Sequence, residues 1–243
     1  LNKLQRFDTP TICNVIELFG VQPRESGFMD QRIRCAYPEL SPMVGYAATA
    51  AFRSHQAPCA PSESASATSA YGSLDAQLEQ FESLPGPAVV VFQDLDDPPV
   101  GATFGEVMCS TYRAFGSTGL ITSGGGRDLA QVRALDYPVF TAGTICSHAN
   151  CHMLHIGMPV RVGGLTIHTG DLLHGDANGV TRVPLAIAHE VADAAAEFMA
   201  AEALVLEYVQ AGGTKTRQEF NARFAAMQEA LAGLRRRVGR TAT

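Results

Sequence analysis

The 243-residue sequence predicts an α/β fold, and three observations carry that reading. Between residues 74 and 140, helix-type segments alternate with short apolar runs, the pattern of strands and helices packed in layers. Residues 88–92 form a continuous Val-rich run of the kind found in a strand buried on both faces. An apolar share of 46% beside 17% charged residues supplies a substantial core and excludes global disorder.

The elements follow in order. Residues 9–18 start on Thr9-Pro10 and carry apolar Ile12, Val15, Ile16 and Leu18, a short helix stopped by Gly20. After Pro42, the small apolar run 44–52 reads as a strand. Residues 55–73, rich in Ser, Ala and Pro, have little to bury and much backbone freedom to lose, so they read as a loop or flexible insert. A helix over 74–84 ends at Pro85-Gly86-Pro87; strand 88–92 follows and is closed by an acidic segment and Pro98-Pro99. The grammar then repeats as helix 105–115, strand 119–122, helix 129–135 and strand 139–140. Residues 160–168 alternate around Gly163-Gly164, which predicts a small antiparallel hairpin, and 179–184 add a strand. An Ala-rich helix over 185–209 halts at Gly212-Gly213, and a terminal helix spans 216–238. Its basic end, Arg235-Arg236-Arg237, suits a nucleic-acid contact or a solvated helix end, and cations there complement the helix dipole.

Composition narrows the function. A formal net charge of −6 without a long basic stripe excludes a non-specific nucleic-acid binder, because phosphate contacts need clustered Lys and Arg. The clearest apolar run is far shorter than the ~18 residues a membrane helix needs. Six cysteines, far apart except Cys146 and Cys151, read as reduced thiols of a cytoplasmic protein. The chain begins at Leu1, which leaves a trimmed targeting segment open.

The segment Thr122-Ser123-Gly124-Gly125-Gly126-Arg127-Asp128 is the most informative. Three glycines between a short strand and a helix let backbone approach a ligand and expose amides at a helix start. Arg127 and Asp128 then stand at the carboxyl end of a strand, where open α/β sheets bind small molecules. The same residues also suit a plain helix start, with Asp128 as cap and Arg127 in a surface ion pair. Upstream, 101–108 gives a second glycine-turned helix start, where the amides of Val107 and Met108 suit an anion and Glu106 stands beside them. Two such elements on neighbouring strands converge on one pocket.

These residues carry a resemblance. In order, Gly105-Glu106, Gly119-Leu120-Ile121, Gly124 followed by Arg127-Asp128, and Leu135 with Pro138-Val139-Phe140 resemble the RraA-like family. That family includes the class II pyruvate aldolase acting on 4-hydroxy-4-methyl-2-oxoglutarate and the regulator of ribonuclease activity. Residues 11–16, 44–49, 159–165, 169–173 and 176–184 also match its first helix, its Gly-x-Ala-x-Thr strand and its β segment, so the likeness spans 7–213.

The resemblance implies a β/β/α swivelling core over 1–184 and a C-terminal helical extension over 185–243, packed on the core or on a neighbour in a trimer or hexamer. It implies that Arg127 grips the oxo-acid end of the substrate and that Asp128 is the protein ligand of Mg²⁺ (or Mn²⁺). Amides after the Gly105-Glu106 turn, those of Val107 and Met108, hold the substrate carboxylate, and Glu106 positions the water that shuttles the proton. These types suit the chemistry: a hard cation with few protein ligands keeps positions open for a 2-oxo carboxylate, and the guanidinium fork grips carboxylate and carbonyl together. The implied activity is a lyase that cleaves a short 2-oxo dicarboxylic acid to pyruvate, by retro-aldol cleavage or by decarboxylating oxaloacetate.

Two features stand apart from the family pattern. Ser123 replaces the first Asp of the family's Asp-Gly-x-x-Arg-Asp, which bears on substrate identity. In the segment 146–155, His148, His152 and His155 would share one face of a helix, the spacing of a zinc site; without paired-Cys spacing, loop imidazoles bonded to backbone, or a wall of a neighbour's pocket, are the other readings. Glu202 and Glu207 read as helix-surface charges, although the aldolases lend a C-terminal Glu to an adjacent protomer, for which Glu202 is the positional match. Asp171 and Asp176 lie in turns where Asp bonds its own backbone. The other functions kept open are a protein-binding regulator, against which the helical extension counts because the regulators are shorter, and a lyase-like fold with another substrate.

Overall fold

The computed structural model describes residues 1–55 and 72–240. All of the predicted insert except its ends lies outside them. The first half of the chain gives α1 (Thr9–Phe19), β1 (Arg34–Cys35), β2 (Met43–Arg53), α2 (Leu74–Glu82) and β3 (Ala88–Asp94). Next come β4 (Ala102–Phe104), α3 (Glu106–Ala114), β5 (Gly119–Thr122), β6 (Gly125–Gly126), α4 (Leu129–Ala134), β7 (Val139–Thr141) and β8 (Gly143–Thr144). The last part gives β9 (His152–Leu154), β10 (Val160–Val162), β11 (Leu165–Ile167), β12 (Leu172–Asp176), β13 (Gly179–Val183), α5 (Ala188–Gln210) and α6 (Arg217–Val238).

Strand β3 lies near the middle of an eight-stranded sheet ordered β1-β7-β5-β3-β2-β12-β13, with β9 on the far end of β2. The four central strands β2, β3, β5 and β7 run parallel, while β1, β9, β12 and β13 pair antiparallel. Val89 and Val91 enter one apolar cluster and Val90 and Phe92 another, so period-two alternation buries both faces and explains the continuous run. The first face is covered by the β10–β11 hairpin through Val160, Val162, Leu165 and Ile167. On the second face, α2, α3 and α4 pack with Tyr112, Val132 and Phe92. Sheet, hairpin and helices thus stack as β/β/α, the predicted class.

The C-terminal helices complete a third cluster. Val191, Ala195 and Phe198 of α5 meet Ile12, Val15 and Phe19 of α1 over Val44 and Leu172, and Leu234 and Val238 of α6 join them. Arg236 and Arg237 at the end of α6 pair with Glu229 and Glu197, which makes the basic run a solvated helix end. No described helix is long and apolar enough to cross a membrane.

Two expectations need correction. Residues 146–155 are not a helix: a turn through Ala149 (φ 47°) leads into β9, and His155 follows the strand with φ 49°. Period two replaces period 3.6, so His148, His152 and His155 share no helical face. The run Gly124-Gly125-Gly126 is not an open ligand loop either. Gly125 and Gly126 form β6, the middle strand of a small parallel sheet with β4 and β8, and the Gly124 N–H is held by Thr122 Oγ1 at 2.9 Å.

Candidate active site

The small β4-β6-β8 sheet sets two helix starts side by side. Ala102 pairs with Gly125 and Phe104 with Gly126, and the Arg127 N–H donates to the Phe104 carbonyl at 3.2 Å. This pairing explains the glycine at 126: a Cβ there would fall 1.9 Å from Cζ of the Phe104 ring. Thr103 Oγ1 adds contacts to Thr122 Oγ1 at 2.8 Å and to the Gly125 carbonyl at 3.1 Å, tying the small sheet to the large one.

At the junction, Asp128 stands at the N-cap position of α4 with φ 56°, yet its side chain caps the other helix: Oδ2 accepts the Glu106 N–H of α3 at 3.0 Å. Arg127 Nε lies 3.8 Å from the same oxygen. Gly105 sits directly against this pair, and a Cβ there would lie 2.6 Å from Asp128 Oδ2 and 3.3 Å from Arg127 Nε. A side chain at 105 would displace the carboxylate. The next two N–H groups, of Val107 and Met108, belong to the first turn of α3 and lack intrahelical acceptors. They meet the positive end of the helix dipole, and Val107 is 77% exposed. Cys109 is fully buried one turn on; burial, with a contribution from the Asp128 charge, pushes its thiol up to about 12.

These groups line one cavity of about 430 Å³. Gly105, Glu106, Val107, Met108, Arg127 and Asp128 line it together with Phe52, Leu74, Phe104, Cys151, Met153, His148 and His152 among others. The volume is that of a small-molecule site. The Cys151 thiol is held up at about 11, chiefly by burial, and is therefore a poor nucleophile.

Ser123 and Glu202 lie elsewhere. The Ser123 Oγ accepts the Asp94 N–H at 2.9 Å and faces a second cavity, of 1110 Å³, which Gln93, Arg34 and Arg161 also line. Glu202, on α5, feels burial first and then Asp8, which together raise its carboxyl. It does not line the cavity of Arg127. Asp171 and Asp176 flank turns and accept the N–H groups of His168 (2.9 Å) and Asn178 (2.8 Å); Asp176, the last residue of β12, also accepts the Thr9 N–H at 3.0 Å.

Sequence reasoning missed Asp94. It is buried at the end of β3, Oδ1 accepts the Asp96 N–H at 2.9 Å, and Oδ2 has no hydrogen-bond partner among the described residues and abuts Gly124. Burial raises its carboxyl, against the lowering by the hydrogen bond from the Asp96 N–H, and the Asp96 charge raises it a little further. Nothing in the acidic run 94–97 distinguished it from Asp96 and Asp97. The apolar wall was also invisible, because Phe52, Leu74 and Met153 come from three distant elements.

The donor set can be compared with the divalent metal that the resemblance implies. Asp128 Oδ2 is engaged by the Glu106 N–H, whereas Oδ1 receives no hydrogen bond from the described residues. No group of three His, Cys, Asp or Glu converges among those residues, so they offer no zinc cage. One carboxylate oxygen in an open cavity fits a hard ion such as Mg²⁺, which keeps waters and takes one or two carboxylates plus substrate oxygens.

The family model described as RraA-like, Aldolase/RraA, matches residues 9–182. A protein of Halalkalibacterium halodurans named "Putative 4-hydroxy-4-methyl-2-oxoglutarate aldolase" is 32% identical over 105 residues, 43% of this chain. The matched stretch spans about half (49%) of that protein's own length. Among solved structures, an uncharacterized protein from Pseudomonas syringae pv. tomato aligns with a TM-score of 0.68 at 23% identity, over 93% of this chain and 92% of that one. Streptomyces coelicolor RraAS2, described as an unusual member of the RNase ES inhibitor RraA protein family, aligns with a TM-score of 0.63 at 23% identity, over 83% and 92%. These two likenesses establish the fold. With 9–182 matched and the β/β/α core in place, the chain belongs to the RraA-like family.

Proposed function

We propose that this protein is a divalent-metal-dependent carbon–carbon lyase that releases pyruvate from a 2-oxo acid, by retro-aldol cleavage or by decarboxylation of oxaloacetate. The observation that carries the reading is the convergence of Arg127, Asp128 and the α3 start in one cavity, with Gly105 keeping the space between them open. A regulator acting through its surface has no need of a guanidinium and a carboxylate held 3.8 Å apart across a glycine.

Each residue then has a task. The N–H groups of Val107 and Met108 hold the substrate carboxylate at the helix N-terminus, as such amides do for anions. Arg127 donates to the C2 oxygen and neutralises the negative charge that grows there when C3 becomes carbanionic. Asp128 would hold Mg²⁺ or Mn²⁺ through Oδ1, and the ion, when bound, supplies Lewis-acid polarisation of the 2-oxo group. Glu106, an exposed residue of the cavity lining, moves a proton through a water, from the C4 hydroxyl in cleavage and onto C3 of the enolate afterwards. A homo-oligomer, trimer or hexamer, in the cytoplasm belongs to the same reading, because RraA-like proteins are typically oligomers.

The test is pyruvate release from oxaloacetate and from 4-hydroxy-2-oxo acids, coupled to a pyruvate-specific readout, before and after chelation. Release that stops with EDTA and returns with Mg²⁺ is expected. No release from any of these substrates would overturn the lyase reading, and release indifferent to chelation would overturn the metal.

A further inference from the structure

The second cavity, of about 1110 Å³, opens where three neighbouring parallel strands end. Gln93 is the penultimate residue of β3, Ser123 directly follows β5 and Thr141 closes β7, and all three line it. The carboxyl ends of parallel strands are where open α/β sheets take their ligands. Phe92 pairs with Thr122 and the Ser123 N–H continues the ladder to the Phe92 carbonyl, so Gln93 and Ser123 are cross-strand neighbours. Period two puts Gln93 on the side of Val89 and Val91, and Ser123 on that of Ile121, the face covered by the β10–β11 hairpin. Phe52, Phe104 and Met153 of the Arg127 cavity belong to the cluster on the other face.

Gln93 and Ser123 present donors. Gln93 Oε1 accepts the Arg161 N–H at 2.8 Å, which fixes the amide and leaves Nε2, with both its protons, bonded to no described residue. Ser123 Oγ accepts the Asp94 N–H at 2.9 Å, and its own proton goes to no described residue. Two guanidinium groups add charge. Arg34 and Arg161 are exposed residues of the lining, and neither is paired with a carboxylate among the described residues; Arg34 Nε reaches the Gln31 carbonyl at 3.4 Å. The neighbouring Arg32 is neutralised by Asp30 at 2.6 Å, and the charge of Asp97, the acidic residue of the lining, also acts on Arg32.

We infer that this cavity binds a small metabolite through a phosphomonoester group. Two uncompensated cations match a dianion. A phosphate offers three terminal oxygens to the Arg161 fork, the Gln93 amide and the Ser123 hydroxyl, one more than a carboxylate has. The remaining volume takes the organic part of the ligand. An aspartate at 123 would set a carboxylate among these donors, whereas the serine leaves the place uncharged. The inference is independent of the lyase reading, because it uses none of the groups around Arg127.

The experiment is calorimetric titration of the full chain carrying Arg127→Gln, which removes the guanidinium of the other cavity, with glycerol 3-phosphate, inorganic phosphate and malonate at constant ionic strength. Glycerol 3-phosphate is expected to bind at least tenfold tighter than malonate and at least as tightly as inorganic phosphate. Adding Arg161→Gln or Ser123→Asp should weaken the ester at least tenfold. Arg161 is exposed and unpaired, so Arg161→Gln decides the matter alone if Ser123→Asp fails to fold. No binding of the ester at millimolar concentration overturns the inference, and so does an equal affinity for malonate. Tighter binding of inorganic phosphate than of the ester overturns the metabolite site in favour of a bare ion. Ester affinity unmoved by a folded Arg161→Gln places the anion elsewhere and overturns it as well.

Discussion

Gly105 is the residue on which the geometry of the site turns. It is needed for space rather than for backbone freedom, since its φ of −161° is extended and a Cβ would lie 2.6 Å from Asp128 Oδ2. Gly105→Ala should therefore leave the thermal melt within ~1 kcal/mol of the parent while lowering kcat/KM about 10²-fold, the effect of misplacing a reacting group by about an ångström. Unchanged turnover in the folded variant would remove Gly105 from the account. Glu106→Gln removes a proton carrier without changing shape, and kcat is expected to fall roughly 10²-fold with KM nearly constant. A loss confined to KM would make Glu106 a binding group. At this scale the sequence was most legible where residue type alone decides chemistry. Arg127, Asp128 and the Gly105–Met108 turn were all singled out and all line one cavity. Ser123 was weighed as part of the site because it is adjacent in sequence, but alternation along β5 and its continuation turns it to the opposite side, onto the Asp94 N–H. Asp94 itself could not be read, because burial is a property of the fold.

Among the elements, long periodic segments were legible and short ones were not. The run at β3 and the patterns at α1, α5 and α6 carry their own signal, since burial on both faces or on one stripe repeats over many residues. Strands β4, β6 and β8 have three, two and two residues, and their pairing depends on partners far along the chain. The same shortness misled the reading of 146–155, where three histidines at helical spacing sit on a turn and a three-residue strand. Helix α1 offers an element-scale test. Asp8 Oδ1 accepts the Thr11 N–H at 2.8 Å, so Asp8→Ala should cost about 1 kcal/mol by chemical denaturation. Phe198, 6% exposed where α5 meets α1, should cost about 3–5 kcal/mol as Phe198→Ala. Near-neutral values for Phe198 would mean that α5 is not packed on α1 in solution.

Over the whole molecule, charge and pH connect fold to function. A chain of net charge −6 attracts an anionic substrate only locally, and Arg127 with the α3 amides is where this one concentrates positive potential. Folding has its own pH signature in His174, which is fully buried, with Nδ1 3.0 Å from Thr9 Oγ1 and Nε2 3.2 Å from the Leu4 carbonyl. Burial lowers its pKa below 6.5. As pH falls through 6.5, the unfolded chain takes a proton that the folded chain refuses. Stability should therefore decline by up to about 1.4 kcal/mol per pH unit from this group until its folded pKa is reached. Melts between pH 7 and 5 should show a shallower slope in His174→Gln, and identical slopes would dismiss the group. The central claim is that Asp128 holds the divalent ion on which pyruvate release depends. It is tested most directly by titrating Mn²⁺ into the protein, followed by water-proton relaxation, beside pyruvate release from oxaloacetate, for the parent and for Asp128→Asn. The folded variant should lose Mn²⁺ binding and at least 10²-fold of its turnover together. A variant that still binds Mn²⁺ and still releases pyruvate at the parent rate would contradict it.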